Sequence, residues 1–193
     1  PVLDEMKKFS DFLKEYSINL KPAKYDGVCI TTLDQDQWGI AYMSYILAKQ
    51  AGVNVKFSSY KTKLPESKIY LLPSVAGMRV MEKEKYYELL ERVKNGAVLY
   101  ISNDNAYLTD FESVTGLKII DSNENVCEGS FSEFKFKRER NLYLKPVGAQ
   151  IIEAEDDGNP IFTVHFLGKG KIYYLNFPLE KMLLSEKEAF SKG

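Results

Sequence analysis

The chain is poor in the residues on which most metal and redox chemistry depends. Among 193 residues it carries two cysteines, Cys29 and Cys127, and a single histidine, His165. Two cysteines supply neither a disulfide framework nor a zinc site, which takes about four ligands. One histidine excludes a histidine-rich metal centre, and no cofactor is expected. Charge of either sign is not in excess: 26 basic residues face 27 acidic ones, for a formal net charge of −1. That balance lacks the basic footprint of a nucleic-acid binder or of a protein held to an anionic membrane. No apolar run approaches the roughly 18 residues of a membrane span. No signal-peptide pattern is present either, so a cytoplasmic location is expected. The first residue is Pro1 rather than methionine, as in a piece excised from a longer chain. Internal repeats and low-complexity tracts are also missing.

What is there is apolar and aromatic. Hydrophobic residues make up 45% of the chain, enough for a sizeable core, and 13 of its residues are tyrosine. Surplus tyrosine suits interfaces and sugar contacts, and equally half-buried strands.

The stretch from Lys68 to Asn105 organises the rest. Ile69-Tyr70-Leu71-Leu72-Pro73 is a short apolar run, and Ser74-Val75-Ala76-Gly77 reads as the loop after it. From Met81 to Asn95 the period turns helical, with Tyr86, Leu89, Leu90 and Val93 recurring on one stripe. Asn95-Gly96 ends that helix, because glycine takes the left-handed cap conformation at no steric cost. Ala97–Ile101 is a second apolar run without alternation. A strand apolar on both faces belongs to a parallel sheet covered by helices.

The flanks extend this pattern. Leu3–Tyr16 reads as an amphipathic helix, with Met6, Phe9, Leu13 and Tyr16 on one stripe, and Ser17–Lys24 as a connector. Val28–Thr32 is a β-branched strand. Asp34-Gln35-Asp36-Gln37 is a polar loop in which Asp36 or Gln37 caps the next helix. Trp38–Gln50 is that helix, apolar on most sides and therefore expected to be heavily buried. Val53–Phe57 is a further strand. Leu108–Thr115 reads as a short helix ended by Gly116, and Leu117–Asp121 as a strand. Asn123–Arg140 is polar, with alternating Phe131, Phe134 and Phe136. Leu142–Leu144, Gln150–Ala154, Ile161–Phe166 and Lys171–Phe177 read as antiparallel strands with hairpin turns at Asp156–Asn159 and Gly168–Gly170. Pro178 opens a closing helix over Leu179–Phe190. The sum is an α/β fold: a doubly wound, mainly parallel, flavodoxin-like sheet with an antiparallel C-terminal extension.

Ligands of such sheets sit at the carboxyl ends of the strands, here Thr32–Gln37, Pro73–Gly77 and Ser102–Tyr107. Asp34, Asp36 and Asp104 are candidate paired carboxylates or metal ligands, and a carboxylate pair at the right separation hydrolyses glycosides. The plainer reading is that acidic residues fill loops and cap helices. Cys29 lies inside a strand, where a buried thiol acts as a small hydrophobe rather than a nucleophile. Cys127, beside Glu128, lacks an activating partner. His165, between Val164 and Phe166, reads as a half-buried structural imidazole. Gly168-Lys169-Gly170-Lys171 lacks the strand-before, helix-after setting of a phosphate loop and reads as a hairpin turn. Trp38, Tyr42 and Tyr45 form either a sugar platform or a packed helix face or subunit contact.

Five ordered stretches go beyond this: Trp38–Val53, Ile69–Ser74, Val93–Tyr100, Phe111–Leu117 and Gly168–Leu175. Together they resemble the middle, trimerisation domain of bacterial β-galactosidases and related barrel glycoside hydrolases. That domain has a class I glutamine-amidotransferase-like fold without the amidotransferase chemistry. The resemblance covers most of Tyr25–Leu183. It implies that residues 1–24 are a linker helix leaving a catalytic barrel and that 25–193 form the amidotransferase-like domain. Active members of that fold carry a glycine-flanked cysteine after the strand equivalent to Ala97–Ile101. Here Ser102-Asn103-Asp104-Asn105 stand in its place and no His-x-Glu pair follows, so no catalytic residue carries over.

The expectation is therefore a non-catalytic accessory or oligomerisation domain of a glycoside hydrolase, its parent an enzyme of β-galactosidase type. Its partners would be further copies of itself or the parent barrel, with carbohydrate as another candidate and neither nucleic acid nor membrane. The loops carrying Asp34, Asp36, Trp38, Ser74, Asn103, Asp104 and Asn105 are the candidate ligand or interface surface. The alternatives are a small hydrolase using the strand-end carboxylates and a carbohydrate-binding module.

Overall fold

Alternation along single strands shows how the layers form. On β1 (Tyr25–Thr31), Val28 and Ile30 enter one apolar cluster, while Cys29 between them enters another. Side chains alternate across a strand, so both faces of this strand are covered. The computed structural model describes residues 2–17, 25–132 and 134–186. The expected connector up to Lys24, and the closing helix beyond Glu186, lie outside these residues.

The remaining elements follow in order. Helix α1 is Val2–Ser17, and α2 is Gln37–Gln50, followed by β2 (Val53–Ser59). Next come β3 (Ile69–Ala76), α3 (Lys83–Lys94), β4 (Val98–Asp104) and the short α4 (Phe111–Thr115). Strands β5 (Leu117–Asn123), β6 (Cys127–Phe131), β7 (Phe134–Arg138), β8 (Asn141–Pro146) and β9 (Gln150–Ala154) succeed them. The described chain closes with β10 (Pro160–Leu167), β11 (Gly170–Leu175) and α5 (Leu179–Ser185). The main sheet runs β2-β1-β3-β4-β11-β10-β9. Its first five strands pair in parallel, and β10 and β9 continue it antiparallel. This is the doubly wound α/β sheet with an antiparallel extension that the apolar runs and hairpin signals lead one to expect.

Helix α3 lies on the face of Val28, Ile30, Tyr70, Leu72, Leu99 and Ile101, and its Leu89 and Val93 are fully buried there. On the other face α2 covers Cys29, Val55 and Leu71 through Ala48. Helix α5 lies beside α2, with Leu184 against Gly39, where an added Cβ would come within 2.3 Å of its Cδ2.

Three expectations need correction. Ser74–Gly77 is not a loop: β3 continues to Ala76 past Pro73. Proline lacks the donor the ladder needs, so the register shifts between Leu72 and Val75, and Ser74 turns through φ 43° before pairing resumes at Val75–Asn103. Lys171–Phe177 is antiparallel to β10 but parallel to β4, so it completes the parallel sheet. Leu142–Leu144 is an antiparallel strand as expected, paired with β5 outside the main sheet, while the polar tract folds into the β6–β7 hairpin. That hairpin is anchored by its aromatics, since the Phe136 ring stacks on Phe177 at 4.3 Å. Finally, α2 buries only Ile40, Met43, Ser44 and Ala48. Trp38, Tyr42 and Tyr45 face outward, because an all-apolar helix on a sheet edge has more apolar surface than one sheet face can cover.

Burial has a measurable signature here. Desolvation pushes the phenols of Tyr86, on α3, and Tyr174, on β11, above their ordinary value, with Asp110 adding to the effect on Tyr86. Desolvation likewise raises the Cys29 thiol to about 12. The unfolded chain loses these protons near the ordinary values and the folded chain keeps them, so the unfolded state binds fewer protons as pH rises. Stability should therefore fall from pH ~9, where the unfolded thiol ionises, and more steeply above pH ~10, by about 1.4 kcal/mol per pH unit for each such group. Urea denaturation at stepped alkaline pH tests this, and a flat profile would contradict the burial of these groups.

Candidate functional site

In this topology β1 and β3 send their crossovers to opposite sides, so the ligand crevice should open above their carboxyl ends. The sequence closes it. The Gln35 amide spans the gap: its Oε1 accepts from Thr32 N at 2.7 Å, and its Nε2 donates to the carbonyls of Pro73 and Ser74 at 2.8 and 3.0 Å. Below it, Glu180 enters from the first turn of α5 and is 3% exposed. Its Oε2 accepts from Ser74 Oγ at 2.9 Å and from Ser102 Oγ at 2.5 Å, and its Oε1 from the Tyr100 hydroxyl at 3.0 Å. Each serine also accepts once. Ser102 Oγ takes the Ser74 amide at 2.6 Å, and Ser74 Oγ takes the Lys181 amide at 3.1 Å. Every donor in this knot is matched, as buried polar groups require.

Burial and the facing carboxylate push the Tyr100 phenol well above its usual value. The knot therefore has no proton to exchange near neutrality through Tyr100. Ser74 and Ser102 are 1% and 0% exposed, so neither hydroxyl meets a substrate. Ser102, at the end of β4, ties that strand to α5 through Glu180.

The other candidates are placed as follows. Asp36 caps α2, accepting from Gly39 N at 3.1 Å. Asp34 packs on Gly77, whose φ of 73° leaves no room for a Cβ beside that carboxylate. Asn103 is buried and accepts from Ala106 N at 2.9 Å, and Asp104 pairs with Lys181 at 2.8 Å. Asn105 sits at φ 61° and bridges back to Ala76. These side chains thus hold the three strand-end loops to one another and to α5. Trp38 stands apart, 88% exposed, on a second surface with Tyr42, Tyr45 and Phe57 beside a cavity of about 550 Å3. Cys29 is fully buried, and His165 is half-buried with Nδ1 unpartnered among the described residues. The Gly168–Gly170 turn docks on α3, Lys169 N donating to the Lys94 carbonyl at 2.8 Å, and an added Cβ on Gly170 would come within 2.1 Å of the Val93 carbonyl oxygen.

Sequence reasoning missed Glu180, Tyr100 and Gln35. Glu180 did leave a signal, since it shares a helical stripe with Leu183 and Leu184, an odd place for a charge unless partners wait inside.

No family model matches the chain, and no curated protein does. Solved structures share its fold. An exo-β-1,4-mannosidase from Opitutaceae bacterium strain TAV5 superposes at TM-score 0.68 with 16% identity, over 96% of this chain and 37% of that one. A β-galactosidase from Bacillus circulans sp. alkalophilus superposes at 0.61 with 10% identity, over 84% of this chain and 30% of that one. A cytoplasmic protein of Salmonella typhimurium LT2 matches at 0.56 with 12% identity, over 85% of this chain and 94% of that one. The chain thus spans about a third of each glycosidase, and the same fold also makes up nearly the whole of another protein. At these identities the likeness is one of fold.

Removing the acceptor at the centre of the knot should be severe. Glu180→Ala strands three hydroxyls, and the loss should reach about 3 kcal/mol or more in urea denaturation. Glu180→Gln, which keeps one acceptor, should lose less. Wild-type stability in Glu180→Ala would show that the knot does not hold α5.

Proposed function

We propose that the chain is a non-catalytic accessory domain of a glycoside hydrolase of β-galactosidase type, working through contacts between subunits. One observation carries the reading. Trp38, Tyr42, Tyr45 and Phe57 form a continuous aromatic surface, exposed by 88, 62, 44 and 47%. At roughly 150–250 Å2 per ring the exposed area is on the order of 500 Å2. That is the size of the largest apolar patch on a typical monomer, roughly 300–600 Å2, and such a patch is often functional. A stable interface takes about 800 Å2 per partner, so this patch has the size of an interface core with its polar rim still to be added. Gln37 and Ser59 border it and supply part of that rim. Trp and Tyr are also the residues enriched at the centres of interfaces.

Two further points support the reading. The switch-point crevice is filled by Gln35 and the Glu180 knot, which leaves contact rather than chemistry at that end of the sheet. The fold recurs as a segment of proteins named mannosidase and β-galactosidase. The occupant of the aromatic surface is a second copy of this domain, and residues 1–24 are the link to a preceding barrel. The loops of Asp34, Asp36, Ser74 and Asn103–Asn105 then serve as fixed walls around the crevice.

Sedimentation equilibrium tests the contact. The chain should associate reversibly, and Trp38→Ala with Tyr42→Ala should weaken association by about thirtyfold, the loss of a central aromatic pair. Trp38 is the single tryptophan, so its emission should shift to the blue as concentration rises. A monomer at every concentration with unshifted emission would overturn self-association. An emission change on adding galactosides, without association, would favour the carbohydrate-binding module.

A further inference from the structure

A second opening lies one strand away from the filled switch point, above β4 and β11. It is a cavity of about 190 Å3 between Asp104 and Asn105 on one side, Arg140 after the β6–β7 hairpin, and Phe177, Lys181 and Met182 at the start of α5. This is smaller than the roughly 300–1,000 Å3 of sites for drug-sized molecules, and it suits one sugar ring.

The charges on its wall are mostly spoken for. Arg138, 6% exposed, is paired with Glu155, and Lys181 is paired with Asp104. Lys137, Glu139 and Arg140 remain, two cations against one carboxylate, which leaves one net positive charge. Arg140 is the unusual member. Its guanidinium is braced over the Tyr107 ring at 4.7 Å, its Nε is buried, and no hydrogen bond or ion pair engages it among the described residues. An arginine so braced and without an ion pair is already ordered for bidentate binding of a carboxylate or phosphate through its terminal nitrogens. The neighbouring side chains of Asp104 and Asn105 accept and donate in the way sugar hydroxyls require.

We propose that this cleft binds a small hydroxylated molecule of about one sugar ring bearing a single anionic group, with the anion on Arg140 and the hydroxyls on Asp104 and Asn105. The proposal does not depend on the aromatic surface or on the parent enzyme. Arginine recognises carboxylate and phosphate alike, so the class covers both a sugar acid and a sugar phosphate.

Isothermal titration of the full chain with galacturonate, glucose 6-phosphate, galactose and inorganic phosphate tests it. One of the two acidic sugars should bind in a 1:1 ratio, about tenfold or more tighter than galactose, and its identity distinguishes the two sources. Affinity should fall with added salt and drop about tenfold in Arg140→Ala, while Trp38→Ala leaves it unchanged. Should Arg140→Ala fail to fold, Arg140→Gln, which keeps much of the side-chain volume, replaces it. Galactose or inorganic phosphate binding as tightly as the acidic sugars, no saturation by either acid, or wild-type affinity in the Arg140 variant would each overturn it.

Discussion

The buried carboxylate of Glu180 is the constraint on which the strand-end architecture depends. A lone carboxylate in a protein interior is strongly unfavourable, and it is tolerated only when fixed donors surround it. Here the donors come from β3 and β4 and the carboxylate from α5, so the penalty can be met only when all three elements are in register. The knot therefore acts as a check on assembly. It also accounts for Ser74: φ of 43° is unfavourable for a non-glycine residue, and the register shift at Pro73 imposes a turn of that kind. The hydroxyl it aims at Glu180, and the amide it gives to Ser102, offset the strain.

Filling the switch point has a consequence for function. In a doubly wound sheet that crevice is where ligands and reacting groups usually meet. With Gln35 laid across it and Glu180 beneath, the position is occupied by the protein's own polar groups. Two open surfaces lie away from it, the aromatic face of α2 at the β2 edge and the cleft over β4 and β11. The two differ in chemistry, one apolar and broad, the other small and polar, with Arg140 in no ion pair among the described residues.

The parallel core was legible because burial on both faces writes itself as uninterrupted apolar runs, as in Leu71-Leu72 and Val98–Ile101. Helix ends were legible for a local reason: Asp36 and Gly116 act through bonds to near neighbours in the chain. What stayed hidden was non-local. Nothing in Lys171–Phe177 says that one edge pairs in parallel and the other antiparallel, because both pairings ask for the same residues. The role of Glu180 depends on hydroxyls 78 and 106 positions away. Among the candidate residues, the strand-end positions were found from fold geometry, but their partners, and hence what each side chain does, were set by packing.

Helix α2 makes the same point about surfaces. Its sequence is apolar nearly all round, which for an isolated domain implies a helix in the core. It is instead half covered, with Ile40, Met43 and Ala48 inward and Trp38, Tyr42 and Tyr45 outward. Apolar residues on the outer face do nothing for the stability of this fold, and open aromatic surface invites association. The hydrophobic pattern of α2 thus records one interface that the fold shows, the sheet beneath it, and leaves an open aromatic face around Trp38, the surface on which the proposed self-association rests.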